Sequence, residues 1–297
     1  MHLVSDSLRY FVEVARTGSI AEASESLHIA ASAISRHIAR LEQETGTRLF
    51  DRHPRGMVPT EAGRLLADHA RRTLLEESDL LERIRDLHES GRALVTVACT
   101  EGFVEDFVPA EIARFREHFP AARVHLTVTD PAAATEAVAT GTADVALTFS
   151  LAPAFGVHVA FSSAEPIVAL VPDGHPLGDR DSISLADLRE HPLALMDGGS
   201  TLRELVDIGC AAEGLHLGPV LTSNSSAALN ALARRTGAVT LTGLLSARHL
   251  VGDGFRTVPL SNPELRRRTL QVQTMARRTL PPAVDAFVRQ VVASLGT

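Results

Sequence analysis

Residues 19–41 carry two helix faces with opposite chemistry. Ser19-Ile20-Ala21-Glu22 follows a stop at Thr17-Gly18 and has the Ser-x-x-Glu spacing of a capping box, in which hydroxyl and carboxylate each satisfy a free N–H at a helix start. The helix begun there is short, because Leu27-His28-Ile29 reads as a turn. A third helix comes next. Ile34, Ile38 and Leu41 form its inward stripe, and Ser32, Ser35, Arg36 and Arg40 lie on the other face at the same helical spacing. Upstream, Leu8, Phe11, Val12 and Ala15 at i, i+3, i+4 and i+7 predict a first helix, which Thr17-Gly18 ends. A short helix, a tight turn and a helix with small donors and cations facing outward make a helix-turn-helix, whose second helix enters the DNA major groove.

The next segment extends this unit. Gly46 ends the third helix. Leu49-Phe50 and Met57-Val58 flank Asp51-Arg52-His53-Pro54-Arg55-Gly56, which predicts a hairpin wing with two arginines near its tip. Thr60-Glu61 is positioned to cap a fourth helix. From Glu61 to Ser90 there is no proline, and Leu66, Ala70, Leu74, Leu81, Ile84 and Leu87 recur among charged residues. That predicts one helix of about 45 Å at 1.5 Å per residue. A solitary helix of this length needs a partner, so Leu74, Leu81, Ile84 and Leu87 are read as a dimerisation face, with packing on the helix's own domain as the alternative. Glu77 interrupts the apolar line.

Charge supports a local nucleic-acid contact and opposes a general one. The chain carries −7 overall, yet eight arginines face five acids between Arg36 and Arg72. The negative total disfavours a non-specific nucleoid protein. All 29 basic residues are arginine, a usage read as GC-rich coding bias rather than selection for phosphate binding.

After Ser90-Gly91-Arg92 the pattern changes to alternating strands and helices. Strands are read at Val95–Cys99, Val124–Thr129, Asp144–Phe149, Ile167–Val171, Ala238–Thr242 and Leu270–Met275. Helices carry Ile112, Phe115 and Phe119, precede Gly141, span Thr201–Ala212, and close the chain after Pro281-Pro282. This implies an α/β region with largely parallel sheets. The N-terminus has no basic start, apolar block or cleavage site, and no apolar run approaches a membrane span, which predicts a cytoplasmic chain with no membrane partner. The two cysteines, Cys99 and Cys210, read as core residues, Cys99 beside the predicted ligand cleft, where a redox sensor is the alternative. The 13 histidines show no metal spacing, and no nucleophile elbow or phosphate-binding glycine motif is present.

Leu8-x-x-Phe11, Gly18-Ser19-Ile20, Ala23, Leu27, Ser32-Ala33-Ile34-Ser35, Ile38-x-x-Leu41-Glu42, Gly46, Leu49-Phe50-x-Arg52 and Thr60-x-x-Gly63 together resemble the N-terminal signature of LysR-type transcriptional regulators. Phe119-Pro120, Gly141-x-x-Asp144, His175-Pro176-Leu177 and Leu185-x-x-Leu188 resemble that family's effector domain more weakly. The sequence departs from the pattern at Ser24, where a second alanine is usual, and at Ala30-Ala31, where Ser-Gln or Pro-Gln is frequent. Glutamine can read adenine bidentately, whereas Ala31 offers only a methyl contact. The late Gly-x-Gly segment is reduced to Arg235-Thr236-Gly237-Ala238.

The resemblance implies an α/β protein with an all-α winged head. Its parts are a winged helix-turn-helix over 3–60, a linker and dimerisation helix over 61–90, and a two-lobed periplasmic-binding-protein-like domain. Lobe one would take 92–165 and 270–297, and lobe two 166–269. It implies DNA contacts from Ser32, Ser35, Arg36 and Arg40, and wing contacts from Arg52 and Arg55 to phosphate or the minor groove; taken singly, Ser32, Ser35 or Arg36 is equally a solvent-exposed residue, and the alternative for Arg52 and Arg55 is a surface ion pair with Glu or Asp. In two-lobed α/β folds ligands lie beyond the carboxyl ends of strands, which points to Thr100, Glu101, Thr129 and Phe149 at strand ends. Ser200 and Thr201 open a helix whose N–H groups suit a carboxylate, with ordinary capping as the alternative for Ser200. Glu101 would disfavour an anion nearby or pair with a ligand amine. The implied partners are double-stranded DNA with an interrupted palindromic site, a carboxylate-bearing small-molecule effector, a second copy of the chain as homodimer and then homotetramer, and RNA polymerase. No cofactor or metal is implied. The rival readings are a small-molecule-binding protein or an enzyme on the same two-lobed fold, neither of which accounts for the head.

Overall fold

Serine caps open the first helices. In the computed structural model, which describes residues 4–53, 56–86, 93–152 and 156–296, α1 (Asp6–Thr17) is capped by Ser5 and α2 (Ile20–Leu27) by Ser19, whose Oγ accepts from the Glu22 amide. The return bond of the capping box is replaced: the Ser19 amide donates to Thr17 Oγ1 at 3.3 Å. α3 (Ala31–Thr45) buries Ile34, Ile38 and Leu41. α1 buries Ser7, Phe11 and Val14, while Val12 is half-buried. The inward stripe is therefore displaced from the one the spacing suggested, because α1 packs against α2, α3 and α4 at once. Burying a side chain such as Phe11 stabilises the head by roughly 1.5–3 kcal/mol. The predicted Arg55, Leu87 and the boundary Ser90-Gly91-Arg92 lie outside the described residues.

β1 (Phe50–His53) and β2 (Gly56–Pro59) pair antiparallel. Glu42 fixes where this hairpin leaves α3: its Oε1 accepts from the amides of Leu49 and Phe50 at 2.8 and 3.4 Å. Thr60 Oγ1 accepts from the Gly63 amide and opens α4 (Glu61–Asp86). A Cβ on Gly63 would overlap the Leu49 carbonyl oxygen, so the start of α4 lies directly against the hairpin backbone.

Packing divides the chain into two compact units, Met1–Ser90 and Gly91–Thr297. In the second unit the chain builds β3 (Leu94–Cys99), α5 (Phe107–His118), β4 (Arg123–Val128), α6 (Pro131–Thr140), β5 (Val145–Ser150) and β6 (Val157–Ala164). It continues through β7 (Ile167–Pro172), β8 (Leu193–Met196), α7 (Thr201–Glu213), β9 (Leu221–Ser223), α8 (Ser226–Thr236), β10 (Val239–Gly243), α9 (Leu244–Ala247) and β11 (Phe255–Pro259). It ends with β12 (Thr269–Met275) and α10 (Pro282–Leu295). Two five-stranded sheets result, ordered β4-β3-β5-β12-β6 and β11-β7-β10-β8-β9.

Both sheets are mixed, which corrects the expectation of largely parallel ones. β3 runs parallel to β4 and β5, and β8 parallel to β9 and β10. β12 is antiparallel to β5 and β6, and β7 to β10 and β11. The chain leaves the first sheet after β6 and re-enters it as β12, so a returning strand lies between β5 and β6. No local periodicity encodes that direction. The core of the first lobe joins Val97, Phe103, Phe115, Leu147 and Phe287, and that of the second joins Ile167, Leu195, Leu205 and Leu241.

The contact at Gly63 yields a stability test. Gly63→Ala forces the α4 start away from the Leu49 carbonyl and should destabilise the head by about 1–3 kcal/mol, the cost typical of overpacking. A thermal melt with an unchanged midpoint would show that this junction yields freely.

Candidate functional site

Within the head, α3 turns its polar face outward. Ser32, Arg36 and Arg40 are exposed and Ser35 is half-buried. Arg40 Nε donates to Glu44 at 2.8 Å in a surface pair, whereas no bond from Arg36 is present among the described residues. Ala30 caps α3 without a side-chain hydrogen bond, so the first amides of the helix keep their donors. Ser24 acts locally. Its hydroxyl donates to the Ile29 carbonyl at 2.6 Å and fastens the turn between α2 and α3. His28 holds that turn in the left-handed conformation at φ 55°. On the wing, Arg52 is exposed in β1.

α4 divides its apolar residues between two faces. Ala67 and Ala70 are buried within the head, and Leu74 and Leu81 are half-buried. Ile84 and Leu80 are each 45% exposed and Leu65 is 69% exposed. Leu65 and Leu80 were absent from the sequence reading, because a one-dimensional stripe does not reveal which side of the helix its own domain covers. Glu77, out of place in the apolar line, is buried and accepts from the Val4 amide at 3.1 Å.

In the second unit, a cleft of about 600 Å³ is lined by strand ends and helix starts from both lobes. It brings together all six residues singled out in the sequence: Thr100, Glu101, Thr129, Phe149, Ser200 and Thr201. Their local roles differ. Ser200 caps α7, its Oγ accepting from the Arg203 amide at 3.1 Å, which is the ordinary capping role. Thr201 and Thr129 are half-buried, and no bond from either hydroxyl is present among the described residues. Glu101 faces the cleft, but its Oε1 accepts from the amide and hydroxyl of Ser226 at 2.9 and 3.0 Å. Its negative charge sits at the start of α8 and spans the two lobes, so the expected pairing with a ligand amine would compete with an existing contact. Glu105 reinforces that junction through His249 at 3.2 Å.

The sequence reading missed Arg268, the arginine that lines the cleft. It lies in the run Arg266-Arg267-Arg268, just before β12, and no spacing separates it from its neighbours. It is 3% exposed, and its guanidinium lies 4.2 Å over the Phe149 ring, which in turn stacks on Phe103. Arg268 and Glu165 sit where the chain crosses between the sheets. The Glu165 amide donates to the Arg268 carbonyl at 2.9 Å, and Arg268 Nε donates to the Glu165 carbonyl at 3.3 Å. A Cβ on Gly243 would overlap Arg268 Nη2 and Glu165 Oε1, so glycine is what admits both there. Burial lowers the Arg268 pKa to about 10, which leaves it charged at neutral pH, and burial raises that of Glu165. Asn224, Ser226 and Thr242 also line the cleft and were missed: Asn224 and Ser226 lie at β9 and α8, which carry no clear periodicity, and Thr242 ends a strand whose place beside the cleft is set by the fold.

Neither cysteine is activated. Burial pushes the Cys99 thiol up to about 12, with the Glu101 charge adding to it, and burial also raises Cys210. A thiol held protonated until pH nears 12 is a poor nucleophile, which opposes the redox alternative. Among the described residues no group of three or more His, Cys, Asp or Glu side chains is placed to hold a metal, and no helix is long and apolar enough to cross a membrane. Alkylation of Cys99 by iodoacetamide at about pH 8, followed by mass spectrometry, should be about three orders of magnitude slower in the folded protein than in urea, as the thiolate fractions dictate. Labelling of the native protein at the free-thiol rate would contradict this.

Comparison with known proteins supplies the family. Residues 5–64 match the bacterial regulatory helix-turn-helix protein model of the lysR family, and residues 88–296 match the LysR substrate binding domain. The chain is 27% identical to a probable RuBisCO transcriptional regulator of Synechocystis, covering 98% of this chain and 86% of the relative. It is 28% identical to the transcriptional dual regulator GltC of Bacillus subtilis, covering 96% and 95%. Among solved structures, full-length CbnR in complex with its target DNA aligns with TM-score 0.55 at 22% identity, over 97% of this chain and 99% of that one. A full-length OxyR variant from Pseudomonas aeruginosa aligns with TM-score 0.61 at 21% identity, over 98% and 95%. With the two family models together spanning nearly its whole length, the chain belongs to the LysR family of transcriptional regulators, joining a helix-turn-helix to a substrate-binding domain.

Proposed function

We propose that this regulator binds an interrupted palindromic DNA site as a dimer and responds to a small molecule held in the cleft of its second unit. Residues 3–60 read DNA, 61–90 pair subunits, and the two lobes are 92–165 with 270–297, and 166–269. The observation that carries the DNA reading is Arg36, exposed on the outward face of α3 with no intramolecular partner among the described residues. Ser32 and Ser35 flank it, and Arg40 can leave its surface pair with Glu44 for a phosphate. Arg52 and Arg55 of the wing contact the backbone or the minor groove. An effector that prefers one lobe arrangement shifts the equilibrium between DNA-bound forms by its difference in affinity for the two. Thr100, Thr129 and Thr201 orient that effector, and the α7 start favours an anionic oxygen on it. Homotetramer assembly and contact with RNA polymerase complete the reading.

Sequencing the DNA fragments retained by the purified protein identifies the operator, on which Arg36→Ala is informative. The substitution weakens binding. If Arg36 reads guanine, discrimination at one base pair relaxes by about 1–3 kcal/mol; if it holds phosphate, binding falls evenly across sequences with a shallower salt slope. Wild-type affinity and selectivity in this variant would refute the assignment of α3.

The dimer reading rests on the apolar residues that α4 leaves outward, Leu80 and Ile84 among them. The double substitution Leu81→Glu with Ile84→Glu should shift sedimentation toward the monomer and weaken binding to a two-half-site operator. An unchanged sedimentation profile would return α4 to packing within one chain.

A further inference from the structure

Two buried polar atoms of the cleft lining have no hydrogen-bond partner among the described residues: Thr100 Oγ1 and Arg268 Nη2. A buried donor left unmade costs about 1–3 kcal/mol, more for a charged group. Both belong to side chains more than nine-tenths buried, Thr100 at 6% and Arg268 at 3% exposure. Thr100 follows β3 of the first lobe, and Arg268 sits on the segment by which the chain returns from the second lobe to the first.

Among the described residues, Arg268 is the cation that lines this cavity; the Glu165 charge acts on it, but Nη2 makes no hydrogen bond. Glu165, the nearest acid, is engaged through Oε1 by the Leu245 amide at 2.7 Å; burial raises its pKa, while that amide and the Arg268 charge act against the rise. Of the acids that line the cleft, Glu101 is held by Ser226 at the start of α8, and Asp130 Oδ1 accepts from the Ala133 amide at the start of α6. Each of these carboxylates faces a helix N-terminus that offsets its charge. Asp197 is the remaining acid of the lining. At α7, Ser200 satisfies the Arg203 amide, and the amides of Thr201 and Leu202 precede the first intrahelical bond.

We infer that Arg268 is the residue that selects the class of effector: a small carboxylate, whose oxygen pairs with Arg268 Nη2 and the Thr100 hydroxyl. This rests on the reading of the cleft as the effector site. The stack of Arg268 on Phe149 and Phe103 holds the guanidinium in place, so little ordering is needed on binding. Both orphaned atoms are closed off from solvent in this lobe arrangement, so a carboxylate reaches them only as the crossover segments shift. Because the backbone of Arg268 is bonded to that of Glu165 on the other crossover, pairing at Nη2 acts at the point where the lobes are joined. Ligand charge and lobe arrangement are thereby coupled through one side chain.

The decisive experiment is calorimetric titration of the full-length protein, at fixed ionic strength, with acetate and succinate, their neutral amides, and inorganic phosphate. The expected result is binding of a carboxylate but not of its amide, with Arg268→Gln weakening it about tenfold or more, as loss of one charge-assisted hydrogen bond implies. Arg268→Lys, which keeps the charge, should lose less, and Thr100→Val should also weaken binding. Equal carboxylate affinity in wild type and Arg268→Gln overturns the role of Arg268; if Thr201→Val then loses binding, the cleft reading survives. Amides binding as tightly as acids, or phosphate binding where carboxylates do not, overturns the carboxylate class and leaves the cleft. If no probe binds, the carboxylate inference fails; the cleft reading is tested apart from it, by whether Thr201→Val alters the response of DNA binding to metabolite extract. Should Arg268→Gln not fold, the acid–amide comparison on the wild type still decides the matter.

Discussion

The effector unit is organised by one chain crossing twice between two sheets. Glu165 leaves the first sheet and Arg268 returns to it, and their backbones hydrogen-bond to each other at the crossing. This junction makes β12 antiparallel to its neighbours, brings β5 and β6 into one sheet, and leaves the carboxyl ends of β3, β4 and β8 facing a common cleft. It also buries an arginine and a glutamate side by side. A glycine at 243 is required beside them, since any side chain there would displace both. Burial of this kind is costly unless the charges are satisfied, and the cleft is where the remaining satisfaction is available.

In the head, the same economy of small residues sets the geometry. Glu42 ties the wing to the end of α3, Ser24 ties α2 to α3, and Gly63 lets α4 begin against the wing backbone. Each contact is internal, so on the outward face of α3 only Arg40, paired with Glu44, makes a bond to its own protein among the described residues. Arg36 is exposed with no bond to its own protein among the described residues, as the proposed DNA contact requires. Ala30, which supplies no capping oxygen, leaves the first amides of α3 equally available.

Much of this was legible along the chain, where the physics is local. The stripe of Ile34, Ile38 and Leu41 and the opposing Ser32, Arg36 and Arg40 follow from helical period alone. The strand ends at Thr100 and Thr129 and the helix start at Thr201 were readable as hydroxyls at element boundaries, and such boundaries meet in one cleft. Where one residue answers to several elements, the period misleads: Val14 replaces Val12 in the core because α1 faces three helices. Glu77 reads as a defect in an apolar stripe until the Val4 amide is seen beside it.

The sequence by itself therefore determined the elements marked by caps and periodicity, the two opposed faces of α3 and six residues of the cleft lining, because capping, periodicity and chain termination act over a few residues. Only the tertiary structure decided the strand directions, the exposed side of α4, the engagement of Glu101 with Ser226, and the place of Arg268. These depend on contacts between residues far apart in the chain, such as Glu101 with Ser226 at a separation of 125 positions, and no spacing rule relates such residues. Three arginines in a row look alike in sequence; a fold that buries one of them against Phe149, at the crossing of two sheets, gives that one its chemistry.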